Sequence, residues 1–345
     1  MTSSPTACRT AVLAMPCVGT STVFGILDVM GSVGRDWQML HGTQPNPSAF
    51  DAKLLSVDGA SYRDVNGRVI TPDGALSDFD RPDVVIVPDL HLAPSSPMPN
   101  EFGEMSAYIR TAHARGAVIT SVCSGSVLLA ATGLLNGLEA TTHWGFGDFM
   151  TREFPDIQLR RERILVPAGE GHRVVTAGGA SAWGDLMLYL VGRFAGEEEA
   201  RRMAKIYLLQ PHTEGQLHYA SLLAGRQHED AVVAEAQVWA ADNYAVPRPV
   251  AAMAKRTGLT ERNLLRRFRR ATGQSPADYI QTLRIEEAKQ MLETSDTPIE
   301  EIASEVGYTE TSSFRNAFKR HVGMSASAYR KKRLPGVAQF SAASQ

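Results

Sequence analysis

Cys123 stands at a corner of the chain. Residues 119–133 read "ITSVCSGSVLLAATG": an apolar run stops at the cysteine, three small residues follow, and a second apolar run begins. A strand that turns abruptly into a helix, with one reactive side chain on the bend, is how several hydrolase folds display a nucleophile. A thiol at the start of a helix is expected to ionise readily, because the helix dipole favours thiolate. Turnover would also need a base, and a group to orient that base. His143 is one candidate, although its neighbour Trp144 suits a packed strand end equally well. "PHTEG" supplies a His-x-Glu pair, His212 and Glu214, but it follows a helical stretch inside an apparent linker, 210–230. Without a base the corner is suited to binding instead. Ser124, Gly125 and Ser126 would let a ligand carboxylate approach the helix N-terminus. The turn at Gly178 and Gly179 would add backbone donors, and Trp144 and Trp183 would offer aromatic faces to a cationic or apolar group. Each tryptophan also suits the core.

A second kind of chemistry lies near the other end. "MAKRTGLTERNLLRRFRRATGQSPADY" (253–279) can be laid on "IASEVGYTETSSFRNAFKRHVGMSASAY" (302–329), so one small helical unit occurs twice. Each copy reads helix, tight turn, helix. Gly258 and Gly307 can take the positive φ that a helix C-terminus wants, and Thr260 and Thr309 are the expected N-caps of the next helix. In copy one the spacing turns Leu264, Phe268 and Ala271 inward, leaving Glu261, Arg262, Leu265, Arg266 and Arg269 outside, with Asn263 a further candidate for DNA. Copy two turns Phe314 and Phe318 inward, leaving Thr311, Ser312, Arg315, Asn316 and Lys319 outside. Arg forks onto guanine, Asn onto adenine, and Leu265 suits a thymine methyl, so both outer faces fit the major groove. Arg267, Arg270, Arg284, Lys319, Arg320 and the cluster 330–333 suit phosphates. A helical protein-interaction domain is the plainer alternative.

These groups need elements to hold them. "AVLAMPCV", "DVVIVPDL", "GAVITSVC", "EATTHW" and "HRVVTAGG" read as buried strands, alternating with helices over 22–30, 101–114, 125–132 and 181–194. That alternation predicts an α/β layer fold on a mostly parallel sheet. A helix over 197–209 closes the region, and beyond it the pattern is all-helical. Charge divides the same way. Residues 246–334 hold 17 Lys and Arg against 10 Asp and Glu, whereas the rest holds 18 against 27, so the net −2 hides a basic segment on an acidic body. Three cysteines are too few for a disulfide framework or a zinc site, and no apolar run is long enough to span a bilayer. A cytoplasmic protein with no metal or cofactor is expected.

"VGYTETSSFRNAFKRHVGMSASAYR" resembles the signature of the AraC/XylS family of transcription factors, which carry two helix-turn-helix units joined by a long helix, here "DYIQTLRIEEAKQMLE" (278–293). Ala326 stands where that family usually has Pro, and Asn316 where it often has Arg. "VCSGSVLLAATGLLNGLEATTHW" and "TAGGASAWGDLMLYLV" resemble the class I glutamine-amidotransferase-like superfamily in its ThiJ/PfpI branch, in particular the GlxA-like members that fuse such a domain to an AraC-type reader. The resemblance implies a flavodoxin-like, amidotransferase-like sensing and dimerising domain at 1–225, a double helix-turn-helix domain at 226–334, and a disordered tail at 335–345. Hydrolytic relatives commonly place His after the cysteine and a Glu in the first helix; this chain has Ser124 and Thr22. The reading is therefore a non-catalytic regulator that binds promoter DNA as a homodimer, with RNA polymerase a possible partner. It would respond to a nitrogen-containing metabolite bound by Cys123, Ser124, Gly125, His143, Trp144, Gly178, Gly179 and Trp183. A cysteine-dependent hydrolase or hydratase carrying a DNA-binding module is the alternative.

Overall fold

Four short runs of β-branched and small apolar residues become the buried strands of one sheet. In a computed structural model describing residues 7–46, 49–93, 102–220 and 230–333, seven strands pair: β1 (Cys8–Leu13), β2 (Phe50–Ser56), β3 (Gly74–Ala75), β4 (Val84–Val87), β5 (Val118–Val122), β6 (Leu165–Ala168) and β7 (Val174–Ala177). Their order across the sheet is β6-β7-β5-β4-β1-β2-β3. Every pairing is parallel except β6 with β7. The sequence marked four of these strands. It missed β2, whose "FDAKLLS" carries two charges in a half-exposed first half, the two-residue β3, and β6, where Pro167 argues against a ladder. "EATTHW" was expected in the core sheet; only Glu139–Ala140 is extended, paired with Gln158–Leu159 in a separate two-stranded ladder.

Helices α1 (Thr20–Ser32), α2 (Phe102–Ala114), α3 (Gly125–Ala131), α4 (Trp183–Ala195) and α5 (Glu197–Ile206) follow the strands. The α/β layer architecture is thus the one expected, with β4 fully buried at its centre. Contacts divide the chain into two units, Met1–Gln216 and Leu217–Gln345. The expected linker departs from this: Gln216 is almost wholly buried in the first unit. Residues 221–229 and the expected tail, 335–345, lie outside the described residues.

The second unit is helical: α6 (Ala231–Asn243), α7 (Pro249–Arg256), α8 (Glu261–Thr272), α9 (Pro276–Thr294), α10 (Ile299–Glu305), α11 (Thr311–Val322) and α12 (Ala326–Lys331). It has two small cores, one around Leu264, Phe268 and Ile280, the other around Phe314, Phe318 and Ile302. No helix among the described residues is long and apolar enough to cross a membrane.

Candidate ligand and nucleic-acid sites

Cys123 occupies the corner between β5 and α3 with φ +56°, the left-handed region that an ordinary side chain avoids. Surrounding bonds hold it there. Its N–H donates to the Ala177 carbonyl of β7 at 2.8 Å. Its own carbonyl is approached by the hydroxyls of Ser126 at 3.0 Å and Thr142 at 3.3 Å. The bend of a displayed nucleophile is therefore present.

The chemistry expected of it is not. Burial pushes the Cys123 thiol up to about 12, with Asp89's charge adding to the rise, and this outweighs the Ser124 hydrogen bonds that favour thiolate. The expected dipole-lowered thiol is corrected here, because an ion in this buried place loses more hydration than one helix turn returns. The Nδ1 of His143 is already engaged. Its Nδ1 accepts the Gly145 N–H at 3.1 Å, so the neutral ring carries its proton on Nε2 and is a donor there. Burial also lowers its pKa. His212 is engaged elsewhere: Asp185 of α4 lies 2.7 Å from its Nδ1 and accepts its backbone N–H at 2.8 Å, and Glu214 is exposed. Thr22 is buried in α1. The carboxylate near the thiol is Asp89, a residue the sequence reading passed over.

The small residues after Cys123 serve packing rather than access. Ser124 donates to the Leu90 carbonyl at 2.7 Å and accepts the Leu90 N–H at 2.8 Å, which occupies its hydroxyl in bracing β4's end to α3. At Gly125 a Cβ would fall 2.2 Å from the Pro88 carbonyl oxygen, so glycine is what lets α3 sit on that loop. With Ser124, Gly125 and Ser126 all buried, the expected opening at the helix N-terminus is not there. Nor is Gly178 a free donor: its N–H bonds the Ile164 carbonyl at 2.7 Å, and a Cβ on it would strike Gln216 at 2.8 Å. Gln216 fills that place, its amide reaching Thr141, Arg163 and the Thr142 carbonyl while accepting the Trp144 N–H. Gly179 has open space above its Cα. Trp183 packs on Gly25 of α1 and borders the core, whereas Trp144 is half-buried against the His143 ring. Of the expected group, His143, Trp144, Gly179 and Trp183 are half-buried, whereas Cys123 is buried with Ser124, Gly125 and Gly178.

A thiol held so high should react slowly. At pH 8 it carries roughly a thousandfold less thiolate than an ordinary cysteine, offset about twentyfold by the greater nucleophilicity of a more basic sulfur. A small disulfide reagent should therefore modify Cys123 at least about thirtyfold more slowly in the native protein than in urea. Equal rates would contradict the burial argument.

In the second unit the turn chemistry follows the sequence. Gly258 and Gly307 have φ of +66° and +87°, and the Thr260 hydroxyl caps α8 by accepting the Asn263 N–H. Copy two departs from this, since Glu310 rather than Thr309 is the N-cap of α11 and makes no side-chain cap bond. Ala326 begins α12 behind a Ser325 cap, the place Pro276 takes in α9. Leu264, Phe268, Phe314 and Phe318 are fully buried and Ala271 half-buried. Arg262, Asn263, Arg266, Arg269, Ser312, Arg315, Asn316 and Lys319 are exposed, with Leu265 and Thr311 half-buried.

Several arginines expected on phosphates have other work. Arg267 pairs with Asp230, the N-cap of α6, at 2.7 Å. Arg330 donates to the Thr297 carbonyl and Arg333 pairs with Asp296. Arg284 is buried in α9, donates to the Tyr244 and Val246 carbonyls, and lies over the Tyr308 ring. Gly307 completes this bracket, since a Cβ there would meet Ala245 at 2.6 Å. The turn between α6 and α7 is thereby fixed to both α9 and the second helix-turn-helix, which holds α8 and α11 in one frame. Arg315 pairs with Glu300 of α10 at 2.6 Å, but both ends are exposed and the pair is weak enough to exchange.

The comparisons follow the same division. A helix-turn-helix domain model matches residues 253–332, and the DJ-1/PfpI family matches residues 46–192. The chain is 25% identical over 302 residues to the HTH-type transcriptional regulator CdhR of Pseudomonas aeruginosa, covering 87% of each chain. It is 29% identical to the HTH-type transcriptional regulator GlxA of Rhizobium meliloti over 68% of this chain and 72% of that one. It is 26% identical to the HTH-type transcriptional regulator GbdR of Pseudomonas aeruginosa over 78% of this chain and 72% of the relative.

Proposed function

We propose that this chain, an AraC-type transcriptional regulator that carries a DJ-1/PfpI domain, senses a small nitrogen-containing metabolite without turning it over. The carrying observation is the buried Cys123, whose thiol burial holds high, together with a His143 whose Nδ1 lone pair is taken by the Gly145 N–H. A nucleophile needs the reverse of both. The rival reading, a cysteine-dependent hydrolase, has the strained corner in its favour; it requires amide hydrolysis by the wild type that disappears in Cys123→Ser. On the DNA side, α8 and α11 are the proposed recognition helices. Their exposed Arg, Asn and Ser side chains would meet base edges, and Arg270 and Arg320 would meet phosphates.

Selection from random DNA tests this reading. Arg266→Ala should cost about 1–3 kcal/mol on the selected site and relax specificity at one position. Arg270→Ala should instead weaken binding to every sequence and flatten its salt dependence. Equal losses on specific and nonspecific DNA for Arg266→Ala would remove it from base reading.

A further inference from the structure

The order of the sheet marks one place for a ligand. From β1 the chain passes through α1 to β2 on one side, and later returns to β4 on the other, so the direction of winding reverses between β1 and β4. In open parallel sheets the crevice outside the carboxyl ends at such a reversal is where ligands bind. Two residues meet there. Gly19 ends the loop after β1 and donates its N–H to the carbonyl of Asp89, two residues beyond β4, at 2.9 Å. Val18 and Leu90 form a bridge beside them.

Asp89 is 8% exposed, and its Oδ1 is buried with no hydrogen-bond partner among the described residues. Gly19 makes room for it, since a Cβ at that position would lie 2.2 Å from Asp89 Oδ2. The next residue, Leu90, both donates to and accepts from the Ser124 hydroxyl, which places Asp89 beside the corner already described. A buried carboxylate oxygen without a donor loses its hydration and gains nothing in return, a cost that folded proteins rarely carry without a use.

We propose that Asp89 is the counter-charge of the effector site and accepts an N–H from a primary ammonium or guanidinium group of the metabolite. This rests on the reading of the first unit as a sensor and deepens it. The missing partner of Oδ1 is a donor, and a quaternary ammonium has none. Quaternary groups are instead held by aromatic faces, yet Trp183 is already packed on Gly25 and the Trp144 ring lies against that of His143.

The test compares full-length wild type with Asp89→Asn by thermal melting and by affinity for the selected DNA. The probes are putrescine, L-lysine and L-arginine, set against choline and tetramethylammonium. Without any probe, Asp89→Asn should melt no lower than wild type, because it removes an unpaired buried charge; a lower melting temperature would make Asp89 a structural residue and overturn the proposal. Among the probes, at least one N–H cation should stabilise wild type and change its DNA affinity, with a half-saturating concentration about 10- to 100-fold higher in Asp89→Asn. An equal response in the variant would overturn the role of Asp89 while leaving the sensor reading intact. A response to choline or tetramethylammonium as strong as to the amines would overturn the N–H assignment. Wild type indifferent to every probe in both measurements would remove the sensor reading and this one with it.

Discussion

Gly125→Ala should lower the melting temperature of the first unit by about 6–12 °C while leaving DNA binding by the same protein unchanged. The added Cβ would fall 2.2 Å from the Pro88 carbonyl oxygen and 2.6 Å from that of Val87. Both are backbone atoms at the end of a fully buried strand, so no flexible side-chain end can yield. Overpacking of this kind costs about 3 kcal/mol at the upper end of the usual range, and in a unit of this size each kcal/mol moves the midpoint by roughly 2–4 °C. Trp37, Trp144 and Trp183 lie in this unit and only Trp239 in the other, so tryptophan fluorescence reports the right transition. Cys123→Ser is the control, since it keeps the volume and the corner. A Gly125→Ala protein that melts like wild type would mean that α3 does not lie on the Pro88 carbonyl.

Leu265→Pro should abolish sequence-specific DNA binding. Proline in the interior of α8 removes the bond from residue 265 to Glu261 and pushes against that carbonyl, at a cost of about 3 kcal/mol or more. The damage falls between Arg262 and Arg266, so the two exposed arginines on one face lose their common geometry. A loss of roughly a hundredfold or more in affinity for the selected site is expected, with the melting of the first unit unaffected. Specific binding within a few-fold of wild type would show that α8 is not a recognition helix.

The arginines explain why the second unit reads well from sequence in outline and less well in detail. Helical spacing decides which side of α8 a residue occupies, and Arg262, Arg266 and Arg269 are exposed as that spacing requires. Spacing says nothing about what another helix brings to the same place. Arg267 meets Asp230 from the start of α6, and Arg284 meets two carbonyls of a turn some forty residues earlier. Both looked like phosphate ligands because a guanidinium suits a carbonyl, a carboxylate and a phosphate alike.

What the sequence determined by itself is what local physics controls. The doubled helix-turn-helix follows from period, positive-φ glycines and small polar caps, and the bend at Cys123 follows from a β-branched run meeting Ser-Gly-Ser. The parallel core follows from short unbroken apolar runs such as "VVIV". The tertiary structure decided everything that depends on burial by distant chain. It set the Cys123 thiol, because desolvation comes from strands and loops far from residue 123. It closed the helix N-terminus through Leu90 and Pro88, and it filled the Gly178 turn with Gln216 from the apparent linker. It also left Asp89 Oδ1 buried beside Gly19 without a donor among the described residues, since a carboxylate's burial depends on residues that only the winding of the sheet brings to it.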